Sequence, residues 1–196
     1  MHRRRHGHRD VRPARLSLRT ALAILALLAA PVSHAQNKTF LVTDDGIGRL
    51  TSHTPYTAAA VSAALGGLPV KPITIYYAHI AVPALEATRD GKRVLLAFKR
   101  EGGVDVSRAT AYASDSVTST GVAMGTPMGE LFEELPDPGC RNRIDRQAGL
   151  VFCPAPSLSN VRFAFQCNYA TEGDALPPAK VLAHCPLARI IWISSD

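Results

Sequence analysis

Short apolar stretches separated by glycine, proline and polar residues make up most of the chain after residue 36. In one of them Val104 and Val106 alternate with Asp105 and Ser107, and this period of two residues predicts a strand with one solvated face. Residues 37–53 are predicted to be an extended segment that bends at Gly46–Gly48. Asp90-Gly91 is predicted to be the turn of a hairpin. The predicted strands cover residues 70–82, 85–89, 93–100, 104–112, 150–153, 161–167 and 187–193.

The first predicted helix covers residues 55–66. It begins at Thr54-Pro55, because threonine can cap a helix and proline suits the first helical position. Val61 and Leu65 then share one face, and Gly66-Gly67 is a typical stop. Alanine-rich helices of this length are not stable alone, so we expect it to pack against a sheet.

The second predicted helix covers residues 127–135. It repeats the threonine–proline start at Thr126-Pro127, and Pro136 ends it. Its apolar residues follow the helical period of i, i+3, i+4 and i+7, namely Met128, Leu131, Phe132 and Leu135.

These elements predict an α+β fold. A curved, mostly antiparallel sheet is covered by the two short helices and closed by the final strand over 187–193, which carries the only tryptophan, Trp192. Residues 36–196 are enough for one domain and too few for two of ordinary size.

Residues 1–35 have the organisation of a secretory signal peptide. An arginine-rich start is followed by the uncharged run Ala21–Val32, and Ser33-His34-Ala35 offers a cleavage site before Gln36. A helix of this run rises only about 18 Å, less than the roughly 30 Å of a bilayer core, so a permanent anchor is the less favoured alternative. No cysteine ends the run, so lipid attachment there is excluded. We expect a soluble periplasmic product.

The net charge of +6 belongs to this leader. Residues 1–35 hold seven arginines and one aspartate, which leaves fifteen basic and fifteen acidic residues in the remainder. A balanced chain has no bulk electrostatic attraction for nucleic acid or an anionic membrane, so we expect no nucleic-acid partner.

The four cysteines lie in the last third of the chain, and none forms a Cys-x-x-Cys pair. Export to an oxidising compartment favours disulfides over metal ligation or a free catalytic thiol. Four cysteines allow three pairings, of which the sequential one is the most economical: Cys140–Cys153 and Cys167–Cys185.

No motif for catalysis or for a cofactor stands out. The chain lacks the nucleophile elbow, the zinc-protease helix and the P-loop, and Gly46–Gly48 is favoured as a turn over a broken dinucleotide loop. We therefore expect no cofactor, metal site or catalytic residue. Four weaker candidates remain. The histidines His53, His79 and His184 could act as a general base, and Ser114-Asp115-Ser116 is a polar loop that could hold a nucleophile. The pair Asp44-Asp45 could bind a cation, and Arg141, Arg143 and Arg146 could bind a carboxylate or phosphate of a partner.

Several segments together resemble one family: GIGRLTSHTPYTAAAVSAALGG, VSRATAYASDSVTSTGVAMGTPMGELF, the first cysteine pair and the terminal ARIIW. This is the uncharacterised family of proteobacterial envelope proteins typified by the RpoE-regulated lipoprotein. The resemblance implies an envelope location, a link to envelope stress and no established activity. The chain departs from the typical member by lacking a leader cysteine, and by adding Cys167 and Cys185, whose joint presence supports the sequential pairing.

Three hypotheses for function follow. The first is a non-enzymatic binding or structural module of the cell envelope, whose partner is an unknown envelope protein or a cell-wall component. The second is a small hydrolase acting on envelope material, which needs a histidine paired with an acid and a hydroxyl. The third is an inhibitor of a wall-degrading enzyme, which needs a protruding loop such as 140–153.

Overall fold

The computed structural model describes residues 39–77, 79–142, 149–169 and 175–195. The predicted leader over 1–35 lies outside these ranges, and so do Arg143 and Arg146 of the predicted contact surface. The twelve strands of the described chain are, in order, β1 Leu41–Thr43, β2 Gly46–Ile47, β3 Leu50–Thr51, β4 Val70–Tyr77, β5 Ile80–Arg89, β6 Lys92–Lys99, β7 Val106–Ala111, β8 Val117–Thr118, β9 Arg141–Asn142, β10 Leu150–Pro154, β11 Val161–Gln166 and β12 Leu187–Ile193.

Eight strands form one large antiparallel sheet in the order β4-β5-β6-β7-β12-β11-β10-β9. The hairpin at Asp90-Gly91 joins β5 to β6 as predicted, with Arg89 opposite Lys92. The remaining four strands form a small sheet in the order β3-β2-β1-β8, in which only the β1–β8 pair is parallel. The prediction of a mostly antiparallel α+β fold is confirmed.

The final strand has the predicted bounds but a different place. Instead of closing the sheet at its edge, β12 lies in its middle, where it pairs with β7 on one side and β11 on the other. Its alternation explains this position, because Ile190 and Trp192 are fully buried in the core while Ile191 and Ile193 face the opposite side.

The first helix, α1 (Ala58–Ala64), starts later than predicted. Thr57 rather than Thr54 caps it, since the Thr57 hydroxyl accepts from the Ala60 N–H at 3.2 Å. Pro55 is still extended and bridges to Asp105, and the Tyr56 N–H donates to the Val104 carbonyl at 2.8 Å. Residues 55 and 56 therefore pair with the residues just before β7 and are extended, although Pro55 was predicted to begin the helix.

The prediction of a helix over 127–135 is wrong. Only a single 3-10 turn forms, at Met128–Glu130. The Met128 and Gly129 N–H groups donate to the carbonyls of Cys185 and Ala183, at 2.9 and 3.1 Å, so the backbone is tied to the segment before β12. The helical spacing of the apolar residues is a consequence of their packing against the core. The second short helix is instead α2, Ala179–Leu182.

Both disulfides have the predicted sequential pairing, Cys140–Cys153 and Cys167–Cys185. They close loops of 13 and 18 residues, and each is worth about 3 kcal/mol in the chain-entropy model. Cys167 follows β11 and is buried, with 2% of its surface exposed. The two bonds join the least regular part of the chain to the large sheet.

Glu86 should make the stability of the protein depend on acid pH. A hydrogen bond from Arg93 at 2.6 Å, helped by Lys71 at 3.3 Å, lowers the pKa of Glu86 although partial burial opposes this. Because the pKa of Glu86 is lower in the folded protein than in the unfolded chain, where it is about 4.3, the ionised side chain stabilises the folded state at pH values above about 4.3. This contribution disappears as the pH falls through the pKa that Glu86 has in the folded protein. Glu86→Gln is therefore expected to destabilise the protein at pH 7 and much less at pH 3, measured by denaturant unfolding.

The matched control is Glu101→Gln, which changes the same charge at an exposed turn. Its effect should be small at both pH values, because exposed charges contribute little. Equal pH profiles for the wild type and Glu86→Gln would contradict the role of Glu86.

Candidate functional site

The face of the large sheet that points away from the main core carries an unusual set of side chains. Residues opposite each other on paired strands lie on the same face. Arg108 of β7 is opposite Ile193, Ile191 is opposite Arg162 of β11, and Phe152 is opposite Arg141 of β9. We call this side of the sheet the outer face.

These residues line a single cleft of about 430 Å³. We call it the arginine cleft and define it by Arg108, Arg141 and Arg162 with the apolar residues Phe152, Ile191 and Ile193. Its wall includes Cys153, so the first disulfide fixes one side of it. The volume is within the range of small-molecule sites, which is about 300–1,000 Å³.

Each arginine is held in place by neutral groups. Nη1 of Arg141 donates to the carbonyls of Pro138 and Cys140, both at 2.6 Å. Nη1 of Arg162 donates to the carbonyls of Ser159 and Val161, both at 2.9 Å.

Arg108 is fixed in a different way, because its guanidinium lies 4.1 Å from the centre of the Phe98 ring. The three side chains are therefore positioned before any ligand arrives, without loss of their positive charge. Preorganised groups lose less conformational entropy on binding than free ones.

The charge of these arginines is not neutralised by the described residues. The ion pairs within the described ranges are Lys71–Glu86, Arg93–Glu86 and Arg89–Asp115, and none of them includes an arginine of the cleft. Among the residues that the structure describes, the lining of the cleft includes no aspartate or glutamate. A chain whose residues 36–196 have balanced charge thus concentrates positive charge on one face.

One of these arginines belongs to the contact surface that was predicted from the sequence, and that surface stays a prediction. Arg141 lines the cleft, whereas the predicted neighbours Arg143 and Arg146 lie outside the described residues. Arg108 and Arg162 were missed because each is an ordinary polar position of an alternating strand. Only the order β7-β12-β11-β10-β9 brings them together with Arg141.

The three candidate histidines lie in three different places. His53 follows β3, His79 is in the turn between β4 and β5 rather than in a strand, and His184 follows α2. All three are exposed. The structure therefore does not bring the histidines together into one site.

His53 lines a second cleft of about 360 Å³ with Asp44, Asp45 and Ser52. Asp44 makes structural hydrogen bonds. Its Oδ1 accepts from the Asn160 N–H at 2.8 Å, and its backbone carbonyl accepts from Trp192 Nε1 at 2.8 Å. In the ranges that the structure describes, no group of three or more histidine, cysteine or acidic residues is arranged to hold a metal ion. Asp44 thus connects the small sheet to the large one.

The polar loop 114–116 has a structural part and an exposed residue. Asp115 Oδ2 accepts from Arg89 Nη1 at 2.6 Å, and Ser116 is only 1% exposed, whereas Ser114 is exposed. Solvent barely reaches Ser116, so this serine is not placed to attack a substrate, and Asp115 is engaged by Arg89. Within the part of the chain that the structure describes, no helix has the length and apolar character needed to cross a membrane.

Comparison with known proteins places the chain in a family. The family model described as "Protein of unknown function (DUF1131)" matches residues 28–194. A curated relative, "Uncharacterized protein YfeY" of Escherichia coli (strain K12), is 24% identical over 151 residues, which cover 77% of this chain and 78% of the relative.

The crystal structure of the uncharacterized protein YfeY from Escherichia coli has the same fold. It superposes with a TM-score of 0.66 and 22% identity, and the match covers 78% of this chain and 98% of the other. Since the family model spans most of the sequence, this chain belongs to the family of proteins of unknown function described as DUF1131.

Proposed function

We propose that the protein is an exported, non-enzymatic binding module of the cell envelope, and that the arginine cleft binds an anionic group of an envelope protein or cell-wall component. The observation that carries this function is the set of three positioned arginines without a carboxylate partner among the described residues. Such a cleft is prepared for an anion, because arginine presents several donors in a fixed planar arrangement.

Export is supported by two independent features. The first 35 residues have the order of a cleavable leader, and all four cysteines are paired. Without a leader cysteine the mature product is soluble in the periplasm rather than lipid-anchored. The resemblance to the RpoE-regulated lipoprotein supports expression linked to envelope stress.

Binding is favoured over hydrolysis by the arrangement of the titratable groups. The three histidines are separated, Ser116 is buried, and beside the exposed Ser114 the acidic side chain of Asp115 is bonded to Arg89. The arginine cleft in contrast combines charge, an apolar floor and rigid walls. These are properties of a recognition site and need no reacting group.

Loss of the central arginine should abolish capture of the partner. In the experiment a photo-crosslinking diazirine amino acid replaces Ile193, which is 41% exposed at the cleft. The full chain is expressed in a Gram-negative host, and its periplasmic fraction is irradiated. We expect one discrete crosslinked adduct, and we expect its yield to fall at least tenfold when Arg162 is also replaced by glutamine, because this removes one of the three charges and a guanidinium edge that can make two hydrogen bonds. The adduct is measured by mass spectrometry.

Arg49→Gln is the matched control, since Arg49 also bonds to a backbone carbonyl, that of Ala63, but is not part of the cleft. It should leave the adduct unchanged. An adduct of equal yield in Arg162→Gln, or a protein that stays in the cytoplasm with its leader and four free thiols, would overturn the proposed function.

A further inference from the structure

The arginine cleft also indicates the chemical class of its ligand. We propose that it binds an amphipathic phosphate ester, with the phosphate between neighbouring arginines and the apolar tail along Phe152, Ile191 and Ile193. This inference rests on the proposed function, because it names the ligand of the same cleft.

The arrangement of the arginines favours phosphate over carboxylate. Arg162 is two strands away from both Arg108 and Arg141 and offset by two residues from each, so neighbouring Cα atoms are about 12 Å apart. Arg141 and Arg162 line the same cleft from β9 and β11, on the two sides of Phe152 of β10. An anion lying over Phe152 is therefore flanked by both of these arginines.

The free donors match the oxygens of such an anion. In Arg141 and Arg162 the backbone carbonyls occupy Nη1, and within the described residues Nε and Nη2 have no acceptor. The Nε–Nη2 edge is suited to bidentate contact. A phosphate monoester has three terminal oxygens and between one and two negative charges, so it can satisfy two such edges. A carboxylate has one charge and would leave the second arginine uncompensated.

The floor of the cleft indicates that the ligand has an apolar part. Ile191 and Ile193 are the outward residues of β12, and Phe152 lies across β11 from them. Ile193 keeps 41% of its surface exposed although it stands in the middle strand of the sheet. Covering apolar surface is favourable, so a tail lying on these residues adds affinity that inorganic phosphate lacks.

The same chemistry occurs in a membrane lipid and in a free phosphate ester. Both present a phosphate attached to an apolar chain, and the cleft is open at the surface of the sheet. The test therefore contains one arm for each source, namely vesicles of phosphatidylcholine with and without phosphatidic acid, and monomeric dodecyl phosphate.

The decisive measurement is calorimetric titration of the exported, disulfide-bonded protein. Dodecyl phosphate is expected to bind at least tenfold more tightly than dodecanoate and than inorganic phosphate. Arg162→Gln should weaken it at least tenfold, and Arg162→Lys severalfold, because lysine keeps the charge but loses the bidentate edge. Arg49→Gln should bind as the wild type does. Arg108→Gln serves as a second variant if Arg162→Gln has a lower thermal unfolding midpoint.

The outcomes separate this inference from the proposed function. Arginine-dependent binding of dodecyl phosphate, of phosphatidic acid vesicles or of both supports it, and the responding arm identifies the source. Equal affinity for dodecanoate, or no binding of either phosphate ester while the Ile193 adduct still depends on Arg162, overturns the ligand class alone. Failure of both experiments overturns the proposed function as well.

Discussion

Replacing Gly46 by alanine is expected to destabilise the protein by about 4 kcal/mol or to prevent folding, because the position has no space for a side chain. A Cβ on Gly46 would collide with the carbonyl group of Leu50, and φ is 156°. The colliding atom belongs to the paired backbone of β3, which cannot move without displacing the buried Ile47 and Leu50. Denaturant unfolding followed by circular dichroism measures the loss.

Gly48→Ala is the control two residues away in the same bend. Gly48 has a φ of 62°, but a Cβ there would meet no atom within 4 Å. Only the left-handed backbone is penalised, by about 1–2 kcal/mol. If the two alanine variants lost the same stability, steric exclusion at Gly46 would not be the reason for its glycine.

Trp192→Ala is expected to cost about 4 kcal/mol, the usual range for removing a large buried aromatic side chain. Trp192 is 1% exposed in the middle of the large sheet, and its Nε1 donates to the Asp44 carbonyl at 2.8 Å. The substitution therefore leaves a cavity and loses the contact that joins the β1–β2 turn to β12. Trp192→Phe keeps much of the volume and should cost less, about 2 kcal/mol. Thermal and denaturant unfolding measure both variants.

Ile193→Ala tests the same strand on its other face. Ile193 is 41% exposed, so its truncation should cost roughly 1 kcal/mol or less. A similar loss for Trp192→Ala and Ile193→Ala would contradict the assignment of the two faces of β12.

The parts of the fold that were predictable are those that depend on neighbouring residues. The hairpin at Asp90-Gly91 follows from turn chemistry, and the bounds of Leu187–Ile193 follow from an apolar run that only Arg189 interrupts. The sequential disulfides follow from the short loops that they close. Each of these patterns lies within about twenty residues of chain.

The parts that were not predictable depend on contacts between distant segments. The apolar period over 127–135 is compatible with a helix, but backbone hydrogen bonds to Ala183 and Cys185 limit it to one turn. The position of β12 between β7 and β11 likewise needs the register of three strands. The arginine cleft has the same origin, because Arg108 and Arg162 share a face with Arg141 only after the sheet has formed.

The central position of β12 has a consequence for how the protein fails when it is damaged. This strand joins the two halves of the large sheet, because it pairs with β7 on one side and with β11 on the other. If β12 detaches, the backbone N–H and carbonyl groups of β7 and β11 that it had paired become two exposed strand edges. Damage to this strand therefore favours aggregation between molecules as well as a loss of stability.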